Sequence, residues 1–306
     1  MKAHIIDVIF TIPDFVSWII VVDDACPEET GQFVKEEIAD QRLHVLKHAN
    51  NAGVGAATKT GYIEALTLGA EIVVKLDGDG QMDGRLIEKL ISPIVDGYAD
   101  YCKGNRFDDV EVVKVMPKLR VFGNLVLSFF SKLSSGYWHV FDPNNGFTAL
   151  KRDALTRLPL TKIENRYFFE SDILFRLNLI GARVVDVPMQ PIYGDEVSNL
   201  NIGRAIPEFL LKHLKNTWKR IIYTYYLRDF NLASIELPLG LLLILGGTIR
   251  GIIAWRLSIV YGESAPTGTV VLVAVMILMG TQFLLAFLNQ DINSSQRLQN
   301  MPGKQI

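Results

Sequence analysis

The chain has 306 residues, 49% of them hydrophobic, and a formal net charge of −2, enough for one large or two ordinary domains. Near-neutral charge offers no global basic field for a nucleic-acid partner. Two cysteines (Cys26, Cys102) without CxxC spacing, and five scattered histidines (His4, His44, His48, His139, His213) without an HExxH pair, argue against a zinc site or a disulfide framework.

The apolar stretch from Met1 to Trp18 is broken by Asp7, Pro13 and Asp14, so it does not read as a secretory signal. Ile19 to Val22 reads as a buried strand ending at Asp23-Asp24, and residues 28–40 carry a charged helical pattern. Leu43 to Leu46 reads as a second strand, followed by the polar turn from Lys47 to Gly55. Thr58 to Leu68 follows as a helix that Gly69 stops. Ile72 to Leu76 is a third strand, Asp77-Gly78-Asp79 a turn, and Asp83 to Val95 a helix. This alternation predicts an α/β domain with a mostly parallel sheet and helices on both faces. Ligands of such sheets collect at the carboxyl ends of strands. Asp23-Asp24, the 50–55 turn and Asp77/Asp79 all follow strands and are expected on one edge.

The pair at Asp77 and Asp79 is the most informative feature. Two carboxylates at a strand tip, with a glycine that lets the backbone turn between them, offer hard oxygen ligands to Mg²⁺ or Mn²⁺. A polar turn closing the strand is the plain alternative. Further on, a helix is expected near Leu119–Leu133, a turn-rich loop at Asp142-Pro143-Asn144-Asn145-Gly146-Phe147, a helix over Arg166–Ile180 and a short strand over Arg183–Val187.

From Ile206 to Arg228 basic residues (Lys212, Lys215, Lys219, Arg220, Arg228) interleave with Phe209, Leu214, Trp218 and Tyr223. That pattern fits a helix lying on an anionic membrane surface. Residues 235–255 and 267–288 are each long enough to cross a hydrocarbon core of ~30 Å. They predict a hairpin of two spans. The excess of basic residues before the first span places the preceding domain and the tail, 289–306, in the cytoplasm. Arg250 falls within the first span, at its far interface or facing the partner helix.

The ordered set Val21-Val22-Asp23-Asp24, Asn50-Asn51-Ala52-Gly53-Val54-Gly55 with Lys59 and Gly61, Asp77-Gly78-Asp79-Gly80-Gln81, Gly104-Asn105-Arg106, Asp142 with Asn145-Gly146-Phe147, and Glu170-Ser171-Asp172 resembles family-2 glycosyltransferases of the GT-A, Rossmann-like fold. Within them it is similar to the polyprenyl-phosphate sugar transferases, the group of dolichyl-phosphate mannose synthase, over roughly residues 15–200. The resemblance implies a catalytic domain over 1–204, an interface helix over 205–230 and the two spans. It implies inverting transfer from a nucleotide-sugar donor to polyprenyl (undecaprenyl or dolichyl) phosphate, feeding cell-envelope glycan or glycosylation pathways, in contact with membrane lipids and with room for a homo-oligomer. It places Asp23, Asp24, Asn51, Gly53, Lys59, Asp77 and Gln81 at the nucleotide sugar, with Asp77 and Asp79 on the metal. Asp79, Asp142 and Arg106 fall at the reacting groups, and Asn145, Gly146, Glu170, Asp172 and Ser198 near the acceptor. Glu170 and Asp172, two apart on a helix, point to different sides, so at most one is expected in the site.

Two departures stand out. Where the family has a basic residue after the serine of the Tyr193–Ser198 loop, this chain has Asn199. Family members open with a strand carrying a Pro-x-Tyr-Asn-Glu-like segment that sits inside the sheet, and no such segment occurs here. Either a misplaced start or a degenerate member accounts for that. The alternatives are thus a polymer-directed membrane glycosyltransferase, whose Gln-x-x-Arg-Trp motif is missing from this sequence, or a scaffold that has lost donor binding.

Overall fold

The structure, a computed structural model, describes residues 2–107, 118–143, 145–189 and 202–300. The chain forms two compact units, residues 1–220 with 297–306, and residues 221–296.

In the first unit, α1 (Lys2–Phe10) precedes β1 (Ile19–Asp23), a run of β-branched residues suited to a pleated, packed surface. β1 pairs in parallel with β2 (Leu43–Lys47), Ile19 opposite Leu43 and Asp23 opposite Lys47. Parallel strands need a crossover, which α2 (Thr30–Glu37) supplies. α3 (Val54–Thr67) then leads to β3 (Ile72–Lys75), and α4 (Ile87–Val95) to β4 (Tyr101–Asn105). After α5 (Lys118–Ser135) come β5 (Thr148–Lys151), α6 (Arg152–Arg157), α7 (Phe169–Leu179), β6 (Val184–Pro188) and α8 (Ile202–Ile222).

The second sheet has the spatial order β3-β5-β4-β6. β4 and β6 run parallel, whereas β5 is antiparallel to both β3 and β4. The α/β class and the mostly parallel sheet of the sequence reading stand, with one exception: β3, β4 and β6 share a direction and β5 alone runs against them. The cause is the excursion between β4 and β5: the chain re-enters the sheet at Thr148, opposite Lys75 at the end of β3. The loop before Thr148 therefore sits over the strand ends where ligands are expected.

Alternation along the strands builds two cores. Tyr101 and Leu150 face one side, with Tyr62 of α3 and Ile173, Leu174 and Leu177 of α7. Cys102 and Ala149 face the other, with Ile87, Leu90 and Ile94 of α4. Each such aliphatic side chain contributes roughly 1.5–3 kcal/mol on full burial. A third core joins Ile5 and Ile9 of α1, Ile19 of β1 and Val34 of α2. The two sheets share no ladder among the described residues. Ile12 and Val16 pack into both the second and third cores, so side chains fill that seam.

Two helices of this unit are inside out. α8 buries His213, Asn216 and Arg220 while Leu211, Leu214 and Trp218 are 68%, 51% and 61% exposed. α5 buries Ser128, Ser131, Ser134 and Ser135 and exposes Leu125, Val126 and Phe129. They meet through Ser134 Oγ and His213 Nδ1, 2.8 Å apart, and through the Arg220 guanidinium, which donates to the Leu133 carbonyl.

The second unit holds α9 (Leu232–Tyr261) and α10 (Thr267–Asn300), both containing stretches long and apolar enough to cross a membrane. A capping box of Asn231 and Ser234 opens α9, and Gly262, at φ 66°, closes it. Small residues let the helices approach: a Cβ on Gly280 would lie 2.9 Å from the Gly240 carbonyl oxygen. Arg250 is exposed on α9 and does not bury itself against α10.

Candidate active site

β3 is apolar except for its last residue. Lys75 is buried, and its ammonium donates to Asp77 Oδ1 at 2.7 Å and to Glu170 Oε1 of α7 at 3.1 Å. Burial pushes this ammonium down, but the Asp77 and Glu170 carboxylates outweigh it and hold it above its ordinary value. Gly146 closes the site from the loop before β5. A Cβ there would fall 2.2 Å from Asp77 Oδ2 and 2.6 Å from Lys75 Nζ, so only glycine fits. Asp79 makes an Asx turn, its Oδ1 accepting the Gln81 N–H at 3.0 Å. The structure thus brings Asp77, Gly146 and Glu170 together around a lysine.

The chemistry of the donor set fits a hard divalent cation. Asp77, 35% exposed, has no described donor on Oδ2, and Asp79 keeps its second oxygen. Two carboxylates alone leave most of an octahedral shell to diphosphate and water, the usual arrangement for Mg²⁺ or Mn²⁺ on a nucleotide.

Beside this cluster, Arg106 and Asp142 pair bidentately, Nε to Oδ2 at 2.7 Å and Nη2 to Oδ1 at 3.0 Å. The carboxylate is nearly buried and the guanidinium partly open. Asn145, expected near the acceptor, instead holds its own loop: its amide donates to the Gly104 carbonyl at 2.7 Å and its Oδ1 accepts the Phe147 N–H at 3.0 Å. Beneath it the fully buried Lys103 donates to the Asn145 carbonyl. Burial pushes this ammonium down to about 8, opposed in part by Glu170 and Asp142. Across the strand pair, burial raises the Asp186 carboxyl to about 7, although its Oδ2 accepts the Phe141 N–H.

Lys103 gives a pH signature. Unfolded, its pKa returns to 10.5. A lowered folded value means that the native state binds fewer protons between about 8 and 10.5, so stability rises with pH across that window. The rise, about 3 kcal/mol by the shift, should vanish in Lys103→Met. Chemical unfolding of both proteins at several pH values checks it as a wild-type-minus-variant difference, and a flat difference would place that ammonium in water.

At the end of β1, the two aspartates divide their work. Asp23, expected at the nucleotide, is buried and spends both oxygens on its own chain, accepting the Cys26 N–H and the Gly31 N–H at 2.7 Å each. Asp24 accepts N–H bonds from Ala52 at 2.9 Å and Gly53 at 2.7 Å, and its Oδ1 lies 2.6 Å from His48 Nδ1. Burial alone pushes its carboxyl up, but Ala52, His48 and Gly53 together hold it below its ordinary value. Asn51 donates to the Asp24 carbonyl at 3.2 Å, and His48 Nε2 meets Thr60 Oγ1 at 2.9 Å. An open cleft of about 590 Å³ lies here, lined by Ala25, Cys26, Pro27, Glu29, Lys47 and His48. Ala25 and Glu29 on its rim have φ of 56° and 51°, costly for residues with a Cβ.

Three expectations change. Gly53 and Gly55 do permit a close backbone approach, but of Glu164 and Asn165: a Cβ would lie 2.5 Å from the Asn165 carbonyl oxygen at Gly53, and 2.4 Å from that of Glu164 at Gly55. Lys59 is not free for phosphate, because it donates to the Ile163 carbonyl at 2.8 Å and to Asn165 Oδ1. Asp172 is a structural hub on the far side of α7 from Glu170. It accepts from the Glu164 N–H and Arg176 Nε at 3.0 Å each, and from Asn216 Nδ2 at 2.9 Å. Ser198 and its loop lie outside the described residues. The sequence reading missed Lys75 and His48. A lysine closing a buried apolar strand was the available signal for the first.

The fold and this strand-end site define an α/β domain of GT-A type. Its residues 16–158 match Glycosyl transferase family 2. Over 188 residues the chain is 34% identical to UDP-N-acetylglucosamine–dolichyl-phosphate N-acetylglucosaminyltransferase of Methanococcus voltae, covering 57% of this chain and 74% of that relative. It is 30% identical over 174 residues to polyprenol monophosphomannose synthase of Mycolicibacterium smegmatis, covering 56% and 65%. Glucosyl-3-phosphoglycerate synthase from Mycobacterium tuberculosis, crystallised with Mn²⁺, UDP and phosphoglyceric acid, shares the fold at TM-score 0.52 and 17% identity, over 72% of this chain and 74% of that one. The chain belongs to glycosyl transferase family 2.

Proposed function

We propose that this protein transfers a sugar from a nucleoside-diphosphate sugar to a polyprenyl phosphate at a membrane surface. The observation that carries the lipid acceptor is the inside-out pair α5 and α8 on the same unit as the acidic strand end. Water would not select exposed Leu, Phe and Trp over buried Ser, His and Asn; a bilayer with anionic headgroups beside Lys215 and Lys219 would. Two apolar helices of spanning length, and relatives named for dolichyl and polyprenol phosphates, support the same reading.

The nucleotide base and ribose lie in the cleft beside Asp24 and His48, and the diphosphate lies toward Asp77 and Asp79. A divalent cation, when bound by those two carboxylates, neutralises the departing diphosphate. Lys75 and Gly146 fix the position of Asp77. Arg106, held by Asp142 and partly exposed, lies toward the acceptor phosphate. That phosphate is largely dianionic near neutral pH, its second pKa being about 6, and it needs no general base. The sugar's bond to the diphosphate breaks as a phosphate oxygen bonds to the anomeric carbon from the opposite face, so the configuration inverts. The protein contributes positioning and charge compensation.

Membranes containing the protein, supplied with labelled nucleotide sugars with and without undecaprenyl phosphate, test this. Label should enter a lipid fraction for one donor and only with the lipid added; label in a polymer, or none in lipid, would overturn it. The outward face has its own test. Replacing Leu211, Leu214 and Trp218 by Gln should raise the apparent KM for undecaprenyl phosphate in mixed micelles about tenfold or more while the donor KM stays put. Equal KM values for the acceptor would detach α8 from the lipid.

A further inference from the structure

Three carboxylates belong to the strand-end site: Asp77, Asp79 and Glu170. Yet among the described residues no group of three His, Cys, Asp or Glu side chains is placed to hold a metal ion. Lys75 already bonds two of these carboxylates. Its ammonium lies 2.7 Å from Asp77 Oδ1 and 3.1 Å from Glu170 Oε1, with the Gly146 carbonyl at 3.4 Å. A lysine ammonium has three donors and no lone pair, so it is fully spent on these three oxygens. Asp77 keeps Oδ2, beside Gly146, with no described donor, and Glu170 has only about a tenth of its side chain exposed.

We propose that Lys75 is a positioning residue that acts as a resident counter-cation: by tying Asp77 to Glu170 it keeps the acidic strand end too poor in ligands to retain a divalent cation until a nucleoside diphosphate brings the missing oxygens. The proposal rests on the reading of Asp77 and Asp79 as the carboxylates of the diphosphate's cation. The physical basis is ligand and charge count. Affinity of oxygen sites for divalent cations rises with the number of free carboxylates. A fixed ammonium removes one oxygen of Asp77 and one of the nearly buried Glu170 from that count and repels a second cation nearby. The diphosphate reverses the balance by adding negative charge and oxygens together. Cation and nucleotide therefore arrive as a unit and leave as a unit, and the cation does not remain behind to hold product.

Mn²⁺ binding to the detergent-solubilised full chain, read from loss of the free-ion electron paramagnetic resonance signal, tests this with and without UDP or GDP. Wild type should bind Mn²⁺ weakly alone and much more tightly with one of the two nucleotides. Lys75→Met should bind Mn²⁺ without nucleotide at least about tenfold more tightly than wild type. A lysine needed only for packing predicts the opposite sign, since a loosened site binds less. If the unpaired buried carboxylates prevent Lys75→Met from folding, Lys75→Met with Glu170→Gln removes one charge of each sign; it too should bind Mn²⁺ alone more tightly than wild type. Nucleotide-free affinity equal to or below wild type in the folded variant overturns the role of Lys75 while nucleotide-dependent binding by wild type leaves the transferase reading standing. Wild type that binds no Mn²⁺ with either nucleotide removes the cation assignment, and this proposal with it.

Discussion

Asp79→Asn should abolish measurable sugar transfer, a loss of about 10²–10³-fold or more, in a protein that melts within a degree or two of wild type. The two halves of that expectation come from the two oxygens of one side chain. Oδ1 accepts the Gln81 N–H at 3.0 Å and shapes the turn after β3. An asparagine oxygen makes the same bond, so the Asx turn survives. The other oxygen becomes an NH₂ group, a donor where the diphosphate's counter-charge requires an acceptor. Asp79 is only partly buried, so the change of charge itself costs the fold little. Transfer of labelled sugar into lipid and a thermal melt on the same preparation measure both halves. Transfer within a few-fold of wild type would take Asp79 out of the site. A collapse of the melt would show that the residue serves the turn first.

How much of this was legible in the sequence depends on where the partner of each residue lies. The strand-end placement of Asp77-Gly78-Asp79 could be read because strand, turn and carboxylates are contiguous. The position of Asp24 just past a strand end could be read in the same way. What the sequence does not contain is the identity of the atoms that fill a space. Gly53 and Gly55 announce a close approach, but the approaching backbone is that of Glu164 and Asn165, more than a hundred positions away. Lys59 announces a cation near a strand end, and the same distant segment takes it up. Lys75 ends a strand whose pattern leaves its side chain unassigned until Glu170, 95 positions later, comes to meet it. The direction of β5 depends on a long excursion, whereas the βαβ rhythm describes only neighbours. For α8 the helical period revealed the two faces but not which faces inward. Lys and Arg with Trp and Tyr read as a helix lying on an anionic membrane surface, and only the burial of His213, Asn216 and Arg220 shows which polar residues pack inside.

Gly146→Ala carries the other large effect, and it tests the geometry of the site rather than its charge. The added methyl would fall 2.2 Å from Asp77 Oδ2, 2.6 Å from Lys75 Nζ and 3.0 Å from Asp77 Cγ. Neither neighbour can yield cheaply. The Lys75 ammonium is pinned between two carboxylates, and Asp77 has a single-carbon stem fixed at the end of β3. Nor is the loop free, since Phe147 and Asn145 are buried and Asn145 bonds the Gly104 carbonyl. The strain is therefore relieved by turning Asp77 away from Lys75 or by lifting the loop. Overpacking of this kind costs about 1–3 kcal/mol of stability, and displacing a positioning carboxylate by about 1 Å costs on the order of 10²-fold in turnover. Gly268→Ala is the matched control: nothing lies within 4 Å of a Cβ there, and a helical glycine replaced by alanine adds no clash. Activity and melting temperature should both fall for the first variant and for neither in the second. If Gly146→Ala turns over like wild type, the loop before β5 stands farther from Asp77 than these distances allow, and the site must be redrawn without it.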